Sequence, residues 1–131
     1  ILISKLTKIG INLIGARIGI FGLTFKEDCP DMRNTQVLHI IKKLENYGCE
    51  VLATDPFIDK SVINNFDFFY GKLSEINNLD AALVAVGHSV YKELKREYWL
   101  KTINKPGLLI DLKSIYKKNF LEEEEIQEWS L

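Results

Sequence analysis

Short apolar runs alternate with amphipathic stretches along the chain, and glycine, proline and asparagine punctuate the junctions. Four runs read as buried strands: Ala16–Phe21, Glu50–Thr54, Ala81–Val86 and Leu108–Asp111. They are short and lack strict polar alternation, as expected of strands covered on both faces. The aromatic stretch Phe66–Tyr70 reads as a further short strand or extended piece whose rings pack in the core. Thr35–Tyr47 is the clearest helix. Val37, Leu38, Ile40, Ile41 and Leu44 form one apolar stripe, while Gln36, His39, Lys42, Lys43 and Glu45 lie off it. Asn34 or Thr35 can cap its start, and Gly48 stands where a C-terminal glycine belongs.

Weaker helical patterns cover Ile58–Asn65, Lys72–Asn78 and Tyr91–Lys101. Residues 1–15 read as a helical remnant, Ile1–Leu13, that links from a preceding domain and stops near Gly15. Pro106-Gly107 marks a turn, and the acidic run Glu122–Glu125 a solvated helix face near the C-terminus. Strands alternating with helices on short connections predict an α/β fold. The expected form is a Rossmann-like three-layer sandwich over 16–131, with a mainly parallel sheet of about five to six strands. Ligands of such sheets gather at the carboxyl ends of the strands. Those ends are Gly22–Arg33, Asp55, Gly87-His88 and Asp111–Lys113.

Composition narrows the function classes. The net charge of −1 gives no basic excess for a nucleic-acid partner. No apolar run approaches the roughly 20 residues that span a bilayer, and the start lacks the features of a signal peptide. Cys29 and Cys49 form neither a disulfide framework nor a metal-ligand pattern, and free thiols suit a reducing cytosol. The expectation is a cytoplasmic piece of a longer chain, with no membrane, nucleic-acid or metal partner.

The loop after the first strand carries the chemistry. Lys26 and Arg33 are two cations between a strand and a helix start. With free backbone N–H groups and the positive helix end they favour an anion such as phosphate. Phe25 packs on a sugar or base, or fills the core; Asp31 orients Arg33, caps the helix or meets a ligand hydroxyl. Gly15, Gly19 and Gly22 do not spell the dinucleotide fingerprint, and no P-loop is present. Asp55 stands where a dinucleotide-binding acid would hold ribose, or belongs to a plain Asp-Pro turn. Cys29 lies near cations that favour a thiolate but has no base close in sequence. His88 either contacts a ligand at the sheet edge or bonds within its loop.

Gly22-Leu-Thr-Phe-Lys26 followed by Asp31-Met-Arg33-Asn34-Thr35 resembles the opening motif of the C-terminal domain of UDP-glucose/GDP-mannose dehydrogenases. Gly48-Cys-Glu-Val51, Asp55-Pro56, Ala85-Val-Gly-His88 and Ile110-Asp-Leu-Lys113 resemble that domain in the same order, from about Leu13 to Tyr116. The form FKEDCPDMRNT is most similar to bacterial enzymes of surface-polysaccharide synthesis that oxidise UDP-N-acetylhexosamines to uronic acids. The resemblance implies a UDP-sugar-binding domain of an NAD-dependent nucleotide-sugar 6-dehydrogenase. An N-terminal domain would bind most of the NAD, and a central helical domain would carry the catalytic cysteine and the contacts of a homodimer or larger assembly.

It also implies roles for single residues. Phe25 and Lys26 line the UDP-sugar pocket, and Arg33 reaches toward the NAD phosphates. Lys113 stands where UDP-glucose dehydrogenases usually carry an arginine against the sugar nucleotide. His88 matches the Ala-Val-x-His form of the N-acetylhexosamine branch. Cys29 does not match the family's catalytic cysteine, so no catalytic residue is expected here and the piece alone should be inactive. The alternative is a stand-alone nucleotide-binding or assembly module of the same shape.

Overall fold

The computed structural model describes residues 2–31, 35–63 and 66–131, with the side chain of Thr35 also left aside. Helix α1 (Leu2–Lys8) precedes strand β1 (Arg17–Phe21), helix α2 (Thr35–Asn46) and strand β2 (Glu50–Thr54). Strands β3 (Phe69–Tyr70) and β4 (Leu79–Val84) follow, then α3 (Ser89–Lys92), α4 (Arg96–Thr102), β5 (Ile103–Asp111) and β6 (Ile126–Ser130). The six strands form one sheet in the order β3-β2-β1-β4-β5-β6, and every pairing is parallel. Strand order reverses between β1 and β4, which makes the loops after these two strands the topological switch point.

Apolar strand residues face both ways, so each face needs a cover. On one face Val37, Ile41 and Leu44 of α2 and Leu2 and Leu6 of α1 pack with Ile18, Ile20, Val51, Leu83, Leu108 and Ile110. On the other, Trp99 of α4 and Tyr91 of α3 pack with Phe21, Leu79, Val84 and Leu109. The three-layer parallel sandwich is the expected one.

Several local readings change. The helical remnant ends at Lys8, and it is part of this core: Leu6 is fully buried and the Lys5 ammonium sits 5.6 Å from the Trp129 ring centre. Leu6→Ala is therefore expected to cost at least about 2 kcal/mol. Urea unfolding would check this, and an unchanged midpoint would show α1 to be a detachable arm. The expected acidic helix face instead leads into β6, an edge strand on β5. The open backbone edge of β5 takes up a ladder there, a non-local gain that local charge patterning does not register.

The helix read over Tyr91–Lys101 is two helices, because Lys95 has an extended, strand-like backbone (φ −87°, ψ 163°).

 The turn expected at Pro106-Gly107 lies inside β5, whose ladder to β4 shifts register between Leu79 and Ala81. The chain folds back so tightly there that a Cβ on Gly107 would stand 2.2 Å from the Asn104 carbonyl oxygen. The helices read over Ile58–Asn65 and Lys72–Asn78 shrink to single 3₁₀ turns at Lys60–Ile63 and Leu73–Glu75. Of the four clustered aromatics, Phe68 and Tyr70 are buried, whereas Phe66 and Phe69 are partly in solvent. Alternation turns Phe69 away from the side of Phe68 and Tyr70, whereas Phe66 lies outside the strand and stacks on Phe68 with one face open.

Candidate functional site

The site stands on the loop after β1. Gly22 opens it with φ +107°, and a Cβ there would meet the Val86 Cβ at 2.6 Å. Only glycine lets this loop lie against the end of β4. The next two backbone N–H groups, of Leu23 and Thr24, donate to Asp55 Oδ2 at 2.7 and 3.2 Å. Asp55 follows β2, and its Oδ1 accepts the Phe57 N–H at 2.8 Å. The Asp55 carboxylate thus occupies the N–H groups that, just after the first strand of a dinucleotide-binding fold, would face a pyrophosphate.

His88, just beyond β4, completes this centre. Its Nε2 lies 2.9 Å from Asp55 Oδ2 and 3.0 Å from Thr24 Oγ1, and its Nδ1 accepts the Asp28 N–H at 2.9 Å. A backbone N–H can only donate, so Nδ1 is unprotonated and Nε2 carries the proton. The Thr24 hydroxyl donates its own hydrogen bond to the Lys26 carbonyl at 3.1 Å. The Asp28 carboxylate accepts the N–H and hydroxyl of Ser89, and these bonds hold its carboxyl below the usual range. For Asp55, burial opposes ionisation, but the bonds from His88, Leu23 and Phe57 outweigh it and lower the carboxyl overall.

The residues singled out in the sequence fall into distinct places. Phe25 is 60% exposed and Lys26 is exposed, side by side on top of the loop. Lys113 is exposed in the turn after β5, which Asp111 folds by accepting the N–H groups of Ile115 and Tyr116. That turn packs beside the His88 loop: a Cβ on Gly87 would stand 3.5 Å from the Lys113 Cβ. His88 is fully buried, under the Phe57 ring at 4.9 Å and beside Tyr91 at 5.5 Å. Its ring is engaged within the protein, the bonded alternative of the two readings. Arg33 lies outside the described residues. The expectation of free N–H groups changes for four of them: Leu23, Thr24 and Asp28 donate as above and Phe25 donates to the Asp31 carbonyl. Lys26 and Lys113 are exposed cationic side chains on this loop and the turn after β5.

Asp55 does form the Asp-Pro turn, through Oδ1 on the Phe57 N–H, but it does more than that: its Oδ2 also bonds the β1 loop and His88 within the protein. Thr24, Asp28 and Phe57 escaped the sequence reading; the only cue was their closeness to Lys26 and to Asp55-Pro56. Cys29 is half-buried and Cys49 buried, both as free thiols, and burial pushes the Cys49 thiol up. Among the described residues, no three His, Cys, Asp or Glu side chains are grouped to hold a metal. Among the same residues, no helix is long and apolar enough to cross a membrane.

Residues 19–118 match the model of the UDP-glucose/GDP-mannose dehydrogenase family, UDP binding domain. The chain belongs to this family. As a UDP binding domain of these dehydrogenases it is 38% identical over 123 residues to Protein CapL of Staphylococcus aureus, covering 91% of this chain and 28% of CapL. It is 39% identical over 98 residues to UDP-N-acetyl-D-glucosamine 6-dehydrogenase of Salmonella typhi, covering 73% of this chain and 23% of that protein. Among solved structures it resembles NDP-N-acetyl-D-galactosaminuronic acid dehydrogenase from Methanosarcina mazei Go1, with a TM-score of 0.82 at 20% identity. That likeness covers 98% of this chain and 27% of the other, and it shows the shared Rossmann-like fold. The chain therefore spans less than a third of the length of these relatives.

Proposed function

We propose that this UDP binding domain supplies the sugar-nucleotide side of an NAD-dependent dehydrogenase that oxidises a sugar C6 alcohol to a carboxylate. The substrate is a UDP-N-acetylhexosamine, consumed for surface-polysaccharide synthesis in the cytoplasm. The observation that carries this reading is the exposed Phe25-Lys26 pair, held on a loop whose first two N–H groups, of Leu23 and Thr24, are filled by Asp55. Lys26 supplies a point charge to the diphosphate, with Lys113 from the neighbouring turn, and Phe25 offers a ring to base or sugar. The relatives named for UDP-N-acetylated sugars support the choice of sugar class.

This domain does not fit NAD in the dinucleotide manner. Both oxygens of Asp55 are engaged, and the glycine fingerprint is missing. NAD, which supplies the hydride acceptor for the oxidation, is held mainly by the rest of the protein, and Arg33 is this chain's residue toward it. The catalytic group also lies outside this chain, whose tasks are to bind the diphosphate and orient the sugar. The other domains of the same protein are its partners, in a homodimer or a larger assembly.

A backbone NMR titration of this chain with UDP, and separately with NAD, tests the reading. UDP is expected to move the amides of Phe25, Lys26 and the turn at Lys113, and NAD to leave them in place. Silence of these amides at millimolar UDP, or an equal response to NAD, would count against it.

A further inference from the structure

We propose that His88 is a positioning residue for the sugar-nucleotide site: as a neutral ring protonated on Nε2, it holds at Nδ1 the loop that presents Phe25 and Lys26. The meaning of that loop rests on the function proposed above. The hold itself rests on bond directions. The Asp28 N–H fixes Nδ1 as the acceptor, and the Nε2 proton then points at the Asp55 carboxylate and the Thr24 hydroxyl oxygen.

The two loop anchors, Thr24 and Asp28, bracket Phe25, Lys26 and Glu27. The ring fixes the Asp28 end through Nδ1, while the Thr24 end is held as well by its own N–H on Asp55. Asp28 adds a second tie through its carboxylate on Ser89, the residue after His88. It also stands at φ 54°, a left-handed backbone that the free loop would rarely choose. The ties to residues 88 and 89 fix the far end of the segment, while the Thr24 hydroxyl on the Lys26 carbonyl and the Phe25 N–H on the Asp31 carbonyl hold the near end. His88 itself is fully buried and touches no ligand surface, so it acts through the loop.

The ring's two bonds serve different ends, and amide side chains separate them. In His88→Asn the amide oxygen can replace Nδ1 as acceptor for Asp28 while Asp55 loses its partner. In His88→Gln the longer amide can reach Asp55 as Nε2 does, while Asp28 loses its acceptor. The full-length protein is then assayed for kcat and KM, and its stability measured by urea unfolding. One lost bond of this kind is about 0.5–1.5 kcal/mol, so KM for the UDP-sugar should rise up to roughly tenfold. That rise is expected in His88→Gln and His88→Ala with kcat little changed, while His88→Asn keeps the wild-type KM but loses more stability than His88→Gln.

A KM that simply follows stability across the three variants would reduce His88 to a structural residue and overturn the proposal. So would a wild-type KM in His88→Ala. If the variants do not fold, nitrogen-15 NMR of the wild-type ring decides. A proton on Nδ1 near neutral pH, or a rapidly exchanging Asp28 amide, overturns the hold; a proton on Nε2 with a protected Asp28 amide sustains it. These NMR readings do not depend on any nucleotide, so a loop that fails to bind UDP would sink the proposed function and leave the hold standing.

Discussion

Asp55→Ala is expected to lower folding stability by about 3–5 kcal/mol, the usual cost of breaking a buried, hydrogen-bonded charge centre. Four donors meet this carboxylate: the N–H groups of Leu23, Thr24 and Phe57, and His88 Nε2–H. Leu23, Thr24 and His88 are wholly buried, so water does not replace the lost acceptor without opening the loop. The same centre gives an acid dependence. The folded-state Asp55 carboxyl lies below its ordinary value, so its stabilisation is fully present above the unfolded pKa of about 4. It is lost as pH falls below that value and through the lower folded one. Urea unfolding from pH 7 down to pH about 3 would show the loss, and Asp55→Asn would flatten this part of the profile. A cost under about 1 kcal/mol for Asp55→Ala would show that the loop repacks around the gap.

Lys26→Ala in the full-length protein is expected to weaken UDP-sugar binding roughly ten- to a hundredfold, the loss of a charge-assisted bond worth about 1.5–3 kcal/mol. Lys26 is exposed and its side chain carries no packing that the core needs, so the fold should be unchanged. Calorimetric titration with the UDP-sugar, beside a melting curve, separates the two effects. A wild-type affinity would move the diphosphate away from this loop. A loss matched by a lower melting temperature would point instead to damage in the Thr24–Asp55–His88 centre beneath it.

Much of the frame was open to reading from local pattern. The runs at Ala16–Phe21, Glu50–Thr54, Ala81–Val86 and Leu108–Asp111 are apolar because both faces of their strands are covered, and they appear as β1, β2, β4 and the inner part of β5. The stripe of Val37, Ile41 and Leu44 marks α2 because one side of that helix meets the sheet. Once strands alternate with helices, topology sends Phe25, Lys26, Asp55, His88 and Lys113 to one end of the sheet, so their gathering there was legible too.

What escaped the sequence depends on contacts between distant residues. Glu122–Glu125 looks like a helix face, and only the unpaired edge of β5 draws the following residues into β6. Residues 1–15 look like a linker, and only the uncovered apolar face over β5 makes Leu6 a core residue. Asp55 and His88 are 33 positions apart. Nothing local pairs them; they meet because β2 and β4 both flank β1, which brings their ends beneath the β1 loop. By itself the sequence determined the layers, the inner strands and the end of the sheet at which the polar residues gather, since these follow from periodicity and short connections. Only the tertiary structure decided which groups face outward. Burial turned Asp55 and His88 inward and left Phe25, Lys26 and Lys113 exposed, because a buried polar group must spend its hydrogen bonds inside.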